Sequence, residues 1–250
     1  MVNSPETYSF SKLSAYDQCP RMWELTYILK TPKLKGAFSE YGTLMHSVLE
    51  RYERGELPLS ALADTFDWEW DETFKGIQFP PNKYVDLAES YKNQGMNFLQ
   101  NFKGIPDDTK ILGVEQHFEI PIGDFVLQGF IDLIYERDGK LVILDWKTAK
   151  AYSKSELAHK QRQPYLYALY PKSVYDRWPD EIHFGHIRDD KRVVIPFDSD
   201  AQTEAVNWAK DRVKTLRSTW DFPCQPSEFF CRNICSVRGS CKYGKASAWK

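Results

Sequence analysis

The stretch GFIDLIYERDGKLVILDWKTAK, residues 129–150, decides the fold. Two apolar runs flank Asp138-Gly139, a dipeptide that favours a two-residue type I′ hairpin turn. With those two residues as the loop, Arg137 pairs with Lys140, and counting back sets Asp132 opposite Asp145. Strand side chains alternate between faces, so Lys147 shares the face of Asp145. Opposed carboxylates on paired strands have Cβ atoms about 5 Å apart, and at an effective dielectric near 20 they repel by about 3 kcal/mol. Apolar strands tolerate this where a cation sits between the acids. An isolated Asp-x-Lys is common and reads equally as exposed residues on an edge strand. Here the register, and the run Leu141-Val142-Ile143-Leu144 typical of a buried central strand, favour a metal site. Carboxylate oxygens suit Mg²⁺ or Mn²⁺. Lys147 is placed to stabilise negative charge on a phosphate, and the carbonyl of Trp146 is a candidate further ligand.

Outward from the hairpin, strand patterns cover Gly113 to Ile120 and a second hairpin candidate, Glu181–Ile187 with Arg192–Phe197 around Asp189-Asp190. Helical patterns cover Ser9–Leu29 (capped by Ser9 or Ser11), Glu40–Tyr52, Leu57–Phe102 with a break at Phe79-Pro80-Pro81, Lys154–Tyr170 and Ser199–Ser218. From Phe222 the chain is irregular, basic and cysteine-bearing. The order of elements predicts a mixed α+β fold, with a central mixed β-sheet flanked by helices.

The totals exclude more than they assert. With 250 residues, 42% hydrophobic and 27% charged, the chain fits an ordinary globular protein of one large domain. A net charge of −2 does not announce a nucleic-acid binder, so phosphate contacts must come from a local patch or a metal ion. Lys147, Lys150, Lys154, Lys160 and Arg162 form one such basic stretch, or else a solvated helix face. No apolar run approaches a membrane span, and MVNSPETYSF lacks the features of a secretory signal. The expectation is therefore cytoplasmic protein with reduced cysteines and no membrane partner.

His46 lies beside the apolar stripe of its helix, where an imidazole either completes a metal shell or is a half-buried structural histidine. Glu115 is either a further ligand or an exposed strand residue. The order His46, Glu115, Gly129-x-x-Asp132, Asp145-x-Lys147, Gln163-x-x-x-Tyr167 resembles the RecB-like branch of the PD-(D/E)xK nucleases, from about Ser9 to Cys241. That resemblance implies a restriction-endonuclease-like core. It also implies metal held by His46, Asp132, Asp145 and the Trp146 carbonyl, hydrolysis assisted by Lys147, and a DNA-facing helix carrying Gln163 and Tyr167. Gln161-x-x-x-Tyr165 fits the same helix motif, and Pro164 implies a helix starting near Gln163.

Cys19, Cys231, Cys235 and Cys241 resemble the four-cysteine iron–sulfur arrangement of one branch of these nucleases, which includes CRISPR-associated exonucleases and AddB-type nuclease domains. Three residues separate the first two tail cysteines, where relatives usually carry two. Cys224 is a spare thiol, and zinc is a rival to a [4Fe–4S] cluster. On this reading residues 1–250 form one nuclease domain: a helix-rich part (1–105), a catalytic sheet with helices (106–221), and a cysteine tail (222–250) stapled to the N-terminus. The implied activity is a metal-dependent DNA exonuclease for single strands or DNA ends, starting from the five-prime end, in recombination, repair or phage DNA processing. With no Walker A loop, unwinding needs a helicase or recombination partner. Rival readings are a structure-specific endonuclease or CRISPR spacer-processing nuclease, and a non-catalytic cluster-stabilised DNA-binding subunit.

Overall fold

The computed structural model describes residues 5–153, 156–157 and 160–249. In it Asp138 and Gly139 both take positive φ, 51° and 74°, as a type I′ turn demands. They join β3 (Phe125–Arg137) to β4 (Lys140–Lys147), with Arg137 paired to Lys140. On the other edge of β3 lies the antiparallel β2 (Lys110–Ile122). Beyond β4 come β5 (Glu181–His186), parallel to it, and the antiparallel edge strand β6 (Lys191–Pro196). A short β1 (Glu6–Ser9), not expected from the sequence, pairs in parallel with the start of β3. The result is a mixed six-stranded sheet, β1-β3-β4-β5-β6 with β2 on β3, flanked by helices in the restriction-endonuclease-like manner.

The helix expected over Ser9–Leu29 is interrupted. Ser9 caps α1 (Phe10–Gln18) by accepting the Lys12 N–H at 3.1 Å, but Cys19 is extended and α2 (Pro20–Trp23) starts anew, followed by a π-turn at Glu24–Ile28. Pro20 is the cause: it has no N–H to give and its ring pushes the preceding residue out of the helical region. α3 spans Ala37–Glu53. The expected Leu57–Phe102 helix is two, α4 (Leu62–Thr73) and α5 (Leu87–Asn101), with the Pro80-Pro81 break between them. Of the helix expected from Lys154, that residue lies outside the described ones. The regular turns are α6 (Arg162–Tyr167), with Pro164 in its first turn, and α7 (Leu169–Tyr175). α8 covers Ser199–Ser218, capped by Asp198.

The sheet separates two cores. One holds Leu13, Leu127, Ile131, Ile134, Ile143, Tyr165 and Ala209, under α1, α6 and α8. The other holds Tyr41, Met45, Phe66, Phe98, Leu133, Leu144 and Trp146, under α3, α4 and α5. Ile131 and Leu133, two residues apart on β3, thus fall in different cores, so the strand changes face at Asp132. Its edge partners change there as well. β1 pairs with residues 125–128 and β4 with residues 133–137, which leaves Gly129–Asp132 in the fork between them. Opposite, on β2, Glu115 has φ 45°, a left-handed conformation uncommon for a residue with a side chain.

Candidate functional site

The fork gathers groups from three elements. His46 projects from α3, with Nδ1 3.6 Å from Asp132 Oδ2 and 3.9 Å from Glu115 Oε1. Among the described residues, the group of metal-capable side chains whose donor atoms all lie within 4.8 Å of one another is His46, Glu115 and Asp132. Glu115, which the sequence left open, therefore stands inside this group, turned there by its left-handed backbone. Asp132 Oδ2 also accepts the backbone N–H of Trp146 at 2.6 Å. The regular β3–β4 pairing ends one step earlier, at Leu133–Leu144, so this side-chain bond replaces the next rung of the ladder.

Asp145 is buried and stands outside the tight group. Its Oδ2 lies 2.5 Å from Lys147 Nζ, an ion pair by distance, yet the atom has no bond of hydrogen-bonding geometry. Lys147 Nζ donates to Gln163 Oε1 at 3.1 Å, and Gln163 Nε2 donates to the Tyr167 hydroxyl at 3.2 Å. Of the two registers on α6, Gln163 and Tyr167 join the site. Tyr165 is a core residue whose hydroxyl donates to the Pro196 carbonyl. Gly129 explains how Tyr167 comes so close: a Cβ there would lie 2.9 Å from the Phe118 ring and 3.0 Å from Tyr167 Cε1.

The electrostatics are those of crowded acids. Burial and the Asp145 charge push the Asp132 carboxyl up to about 7, against the pull of His46 and Lys147. Burial works against charging His46, but Glu115, Asp132 and Asp145 outweigh it and raise the imidazole above its ordinary range. Lys147 is raised likewise, since Asp145, Tyr152 and Asp132 overcome its burial. Of the expected basic stretch, Lys147 and Arg162 are engaged internally, Arg162 over the Trp208 ring at 5.4 Å. Lys150 and Lys160 are exposed.

Apart from the fork, Cys19, Cys224, Cys231, Cys235 and Cys241 line one pocket. Burial and neighbouring thiols hold Cys224 and Cys235 up to about 11. The tail is tied to the N-terminal helices independently of the thiols. Arg21 N–H donates to Pro223, Leu34 N–H to Ser236, and Arg238 to the Lys35 carbonyl, while Phe222 stacks on Trp23 at 5.7 Å. Glu53, which bonds the Trp146 indole, was missed in the sequence. Its spacing of seven from His46 on one helix was the available signal.

The sequence profile of the PD-(D/E)XK nuclease superfamily matches residues 7–242. The chain is 27% identical over 171 residues to the Gene 69 protein of Mycobacterium phage D29, covering 56% of this chain and 61% of that protein, less than two thirds of its length. The crystal structure of SSO0001 covers 97% of this chain and is covered over 88% of its own, at 17% identity and TM-score 0.38, too slight a likeness to bear an argument.

Proposed function

The chain belongs to the PD-(D/E)XK nuclease superfamily, and from that premise we propose that it is a divalent-metal-dependent DNA exonuclease acting on single strands or DNA ends. The observation that carries the reading is the convergence of His46, Glu115 and Asp132 beside an Asp145–Lys147–Gln163–Tyr167 chain. The residues fit a divalent cation. Three carboxylates and one imidazole supply hard oxygen and nitrogen donors, and their donor atoms at His46, Glu115 and Asp132 lie within 4.8 Å of one another. His46, Asp132, Asp145 and the Trp146 carbonyl would hold Mg²⁺ or Mn²⁺, with Glu115 as a further ligand. A bound ion of this kind lowers the pKa of water and offsets charge on a phosphodiester.

The chain's own residues do the rest. Lys147, kept protonated by its acidic neighbours, places an ammonium where negative charge develops on the phosphate. Gln163 fixes that ammonium through its amide oxygen and, through its amide nitrogen, the Tyr167 hydroxyl. Both then face the strand to be cut. Exposed Lys150 and Lys160 offer sequence-independent phosphate contacts. The activity would operate in the cytoplasm on repair, recombination or phage DNA intermediates, with unwinding left to a partner. Among the described residues, no helix is long and apolar enough to cross a membrane.

For the thiol pocket the reading is a structural [4Fe–4S] cluster on Cys19, Cys231, Cys235 and Cys241. Zinc is the alternative occupant, because thiolates are soft ligands that suit either. The test of the enzyme is Asp145→Ala against wild type on labelled linear and circular, single- and double-stranded DNA with Mg²⁺ and Mn²⁺. Wild type should degrade linear DNA and leave circles intact, and the variant should bind DNA without degrading it. Cutting of circles would make it an endonuclease, and equal digestion by both proteins would remove the site.

A further inference from the structure

We propose that Glu53 is a positioning residue of the metal site, acting through the Trp146 indole to hold the β4 backbone against Asp132. The inference rests on the nuclease reading above and adds a residue to it. Glu53 is 6% exposed, and its Oε1 accepts the Trp146 Nε1–H at 2.7 Å. The backbone N–H of the same Trp146 donates to Asp132 Oδ2 at 2.6 Å. Trp146 is thus held at two points, by its ring and by its main chain.

The rest of the ring's surroundings are built to match. Phe98 and Phe102 meet it edge-on at 5.9 and 5.8 Å, and the Arg192 guanidinium lies over it at 5.8 Å. On β5, Gly185 leaves it room, for a Cβ there would lie 2.3 Å from the ring. Packing alone does not call for an acid at position 53. A leucine would fill the space without the cost of burying a carboxyl. What the acid adds is direction, one acceptor aimed at one indole N–H. Glu53 and His46 stand seven residues apart on α3, two turns along the same face. One rigid helix therefore presents a metal ligand and also sets the strand that anchors a second ligand, Asp132. Groups that orient ligands in this way typically contribute 10–100-fold to metal affinity.

The experiment measures Mn²⁺ affinity by calorimetry, the Mn²⁺ requirement for DNA cleavage, and unfolding temperature, on the full chain and on Glu53→Leu, Glu53→Gln and Trp146→Phe. Glu53→Leu should weaken Mn²⁺ binding about tenfold, with the activity loss recovered at saturating Mn²⁺. Its unfolding temperature should fall modestly, because the buried indole N–H loses its acceptor even as an apolar residue of similar size replaces a buried acid. Glu53→Gln keeps the acceptor oxygen and should restore wild-type affinity. Trp146→Phe, which keeps an aromatic ring and removes the donor, should reproduce Glu53→Leu. Wild-type Mn²⁺ affinity in Glu53→Leu overturns the inference. Should that variant fail to fold, wild-type affinity in Trp146→Phe overturns it instead. A wild-type chain that binds no Mn²⁺ overturns the nuclease reading and this inference together, whereas binding by wild type that the variants leave untouched overturns this one alone.

Discussion

The fork at Asp132 and the thiol pocket both gather potential ligands, yet they are held in opposite ways. In the fork, acids and bases arrive on α3, β2, β3 and β4 and answer one another. His46 faces Asp132 and Glu115, and Lys147 faces Asp145. In the pocket, five thiols sit on a helix break, π-turns and short irregular segments, with neutral forms favoured at Cys224 and Cys235. A site of compensating charges on regular elements is organised before its ligand arrives. A site of thiols on irregular chain draws much of its order from what it binds. Removing a group should therefore cost chemistry at the first and folding at the second.

The largest expected effect is on rate. Asp145→Ala should lower Mn²⁺-dependent DNA degradation by about 10³-fold or more in a chain that still folds, since relief of the repulsion on Asp132 offsets part of the lost ion pair to Lys147. A variant that unfolds instead would break the contrast at its first point. Next is Cys235→Ser. It should release bound iron and destabilise the chain by about 3 kcal/mol or more, the scale of a cross-link closing a long loop, while the surviving folded protein keeps its Mn²⁺ affinity. Iron content, thermal melts and calorimetry read this together. A rate loss as deep as that of Asp145→Ala would show that the thiol pocket serves the chemistry directly. Gly129→Ala comes third. The added methyl must displace the Phe118 and Tyr167 rings, at a cost of about 1–3 kcal/mol for overpacking. It should also slow cleavage by moving the Tyr167 hydroxyl away from Gln163.

The contrast also accounts for what could be foreseen from the sequence. The β3–β4 register was legible because Asp138-Gly139 permits few loops and the alternating runs fix everything after it. The face-sharing of Asp145 and Lys147 followed from the same count. The change of face at Asp132 and the left-handed Glu115 were not legible, because both come from β3 exchanging β4 for β1, a strand of only four residues. Strand alternation assumes the ladder continues, and at this site it stops. The break after Gln18 is written in Pro20, which outweighs the apolar periodicity that runs through it. Glu53 was hidden because its partner, Trp146, lies 93 positions along the chain.

The smallest effect, on stability against pH, separates the two regions most directly. Burial holds Glu53 up to about 8, and burial with the Asp145 charge holds Asp132 at about 7. Burial opposes the charge on His46, but its acidic neighbours raise it above 6.5. In the unfolded chain all three have released their protons by pH 7.5. Between pH 6.5 and 8.5 the folded state thus holds more protons than the unfolded one, and stability must fall as pH rises. His183 and His186, both held low chiefly by burial, keep part of their protons in the unfolded chain up to about pH 7.5, so they oppose the fall weakly in the lower half of this window. Two carboxyls that release their protons within it imply a loss of the order of 2 kcal/mol. The thiols Cys224 and Cys235, held near 11, act by the same sign only from about pH 9 upward. Melts in EDTA should accordingly fall in two separate steps. Mn²⁺ should shrink the first alone, because it binds the deprotonated Asp132 and the neutral His46 that rising pH exposes and leaves the Glu53 part in place. A melting temperature that is flat from 6.5 to 8.5 in EDTA would show that the acids of the fork are not crowded, and a first step that Mn²⁺ leaves undiminished would show that they do not share an ion.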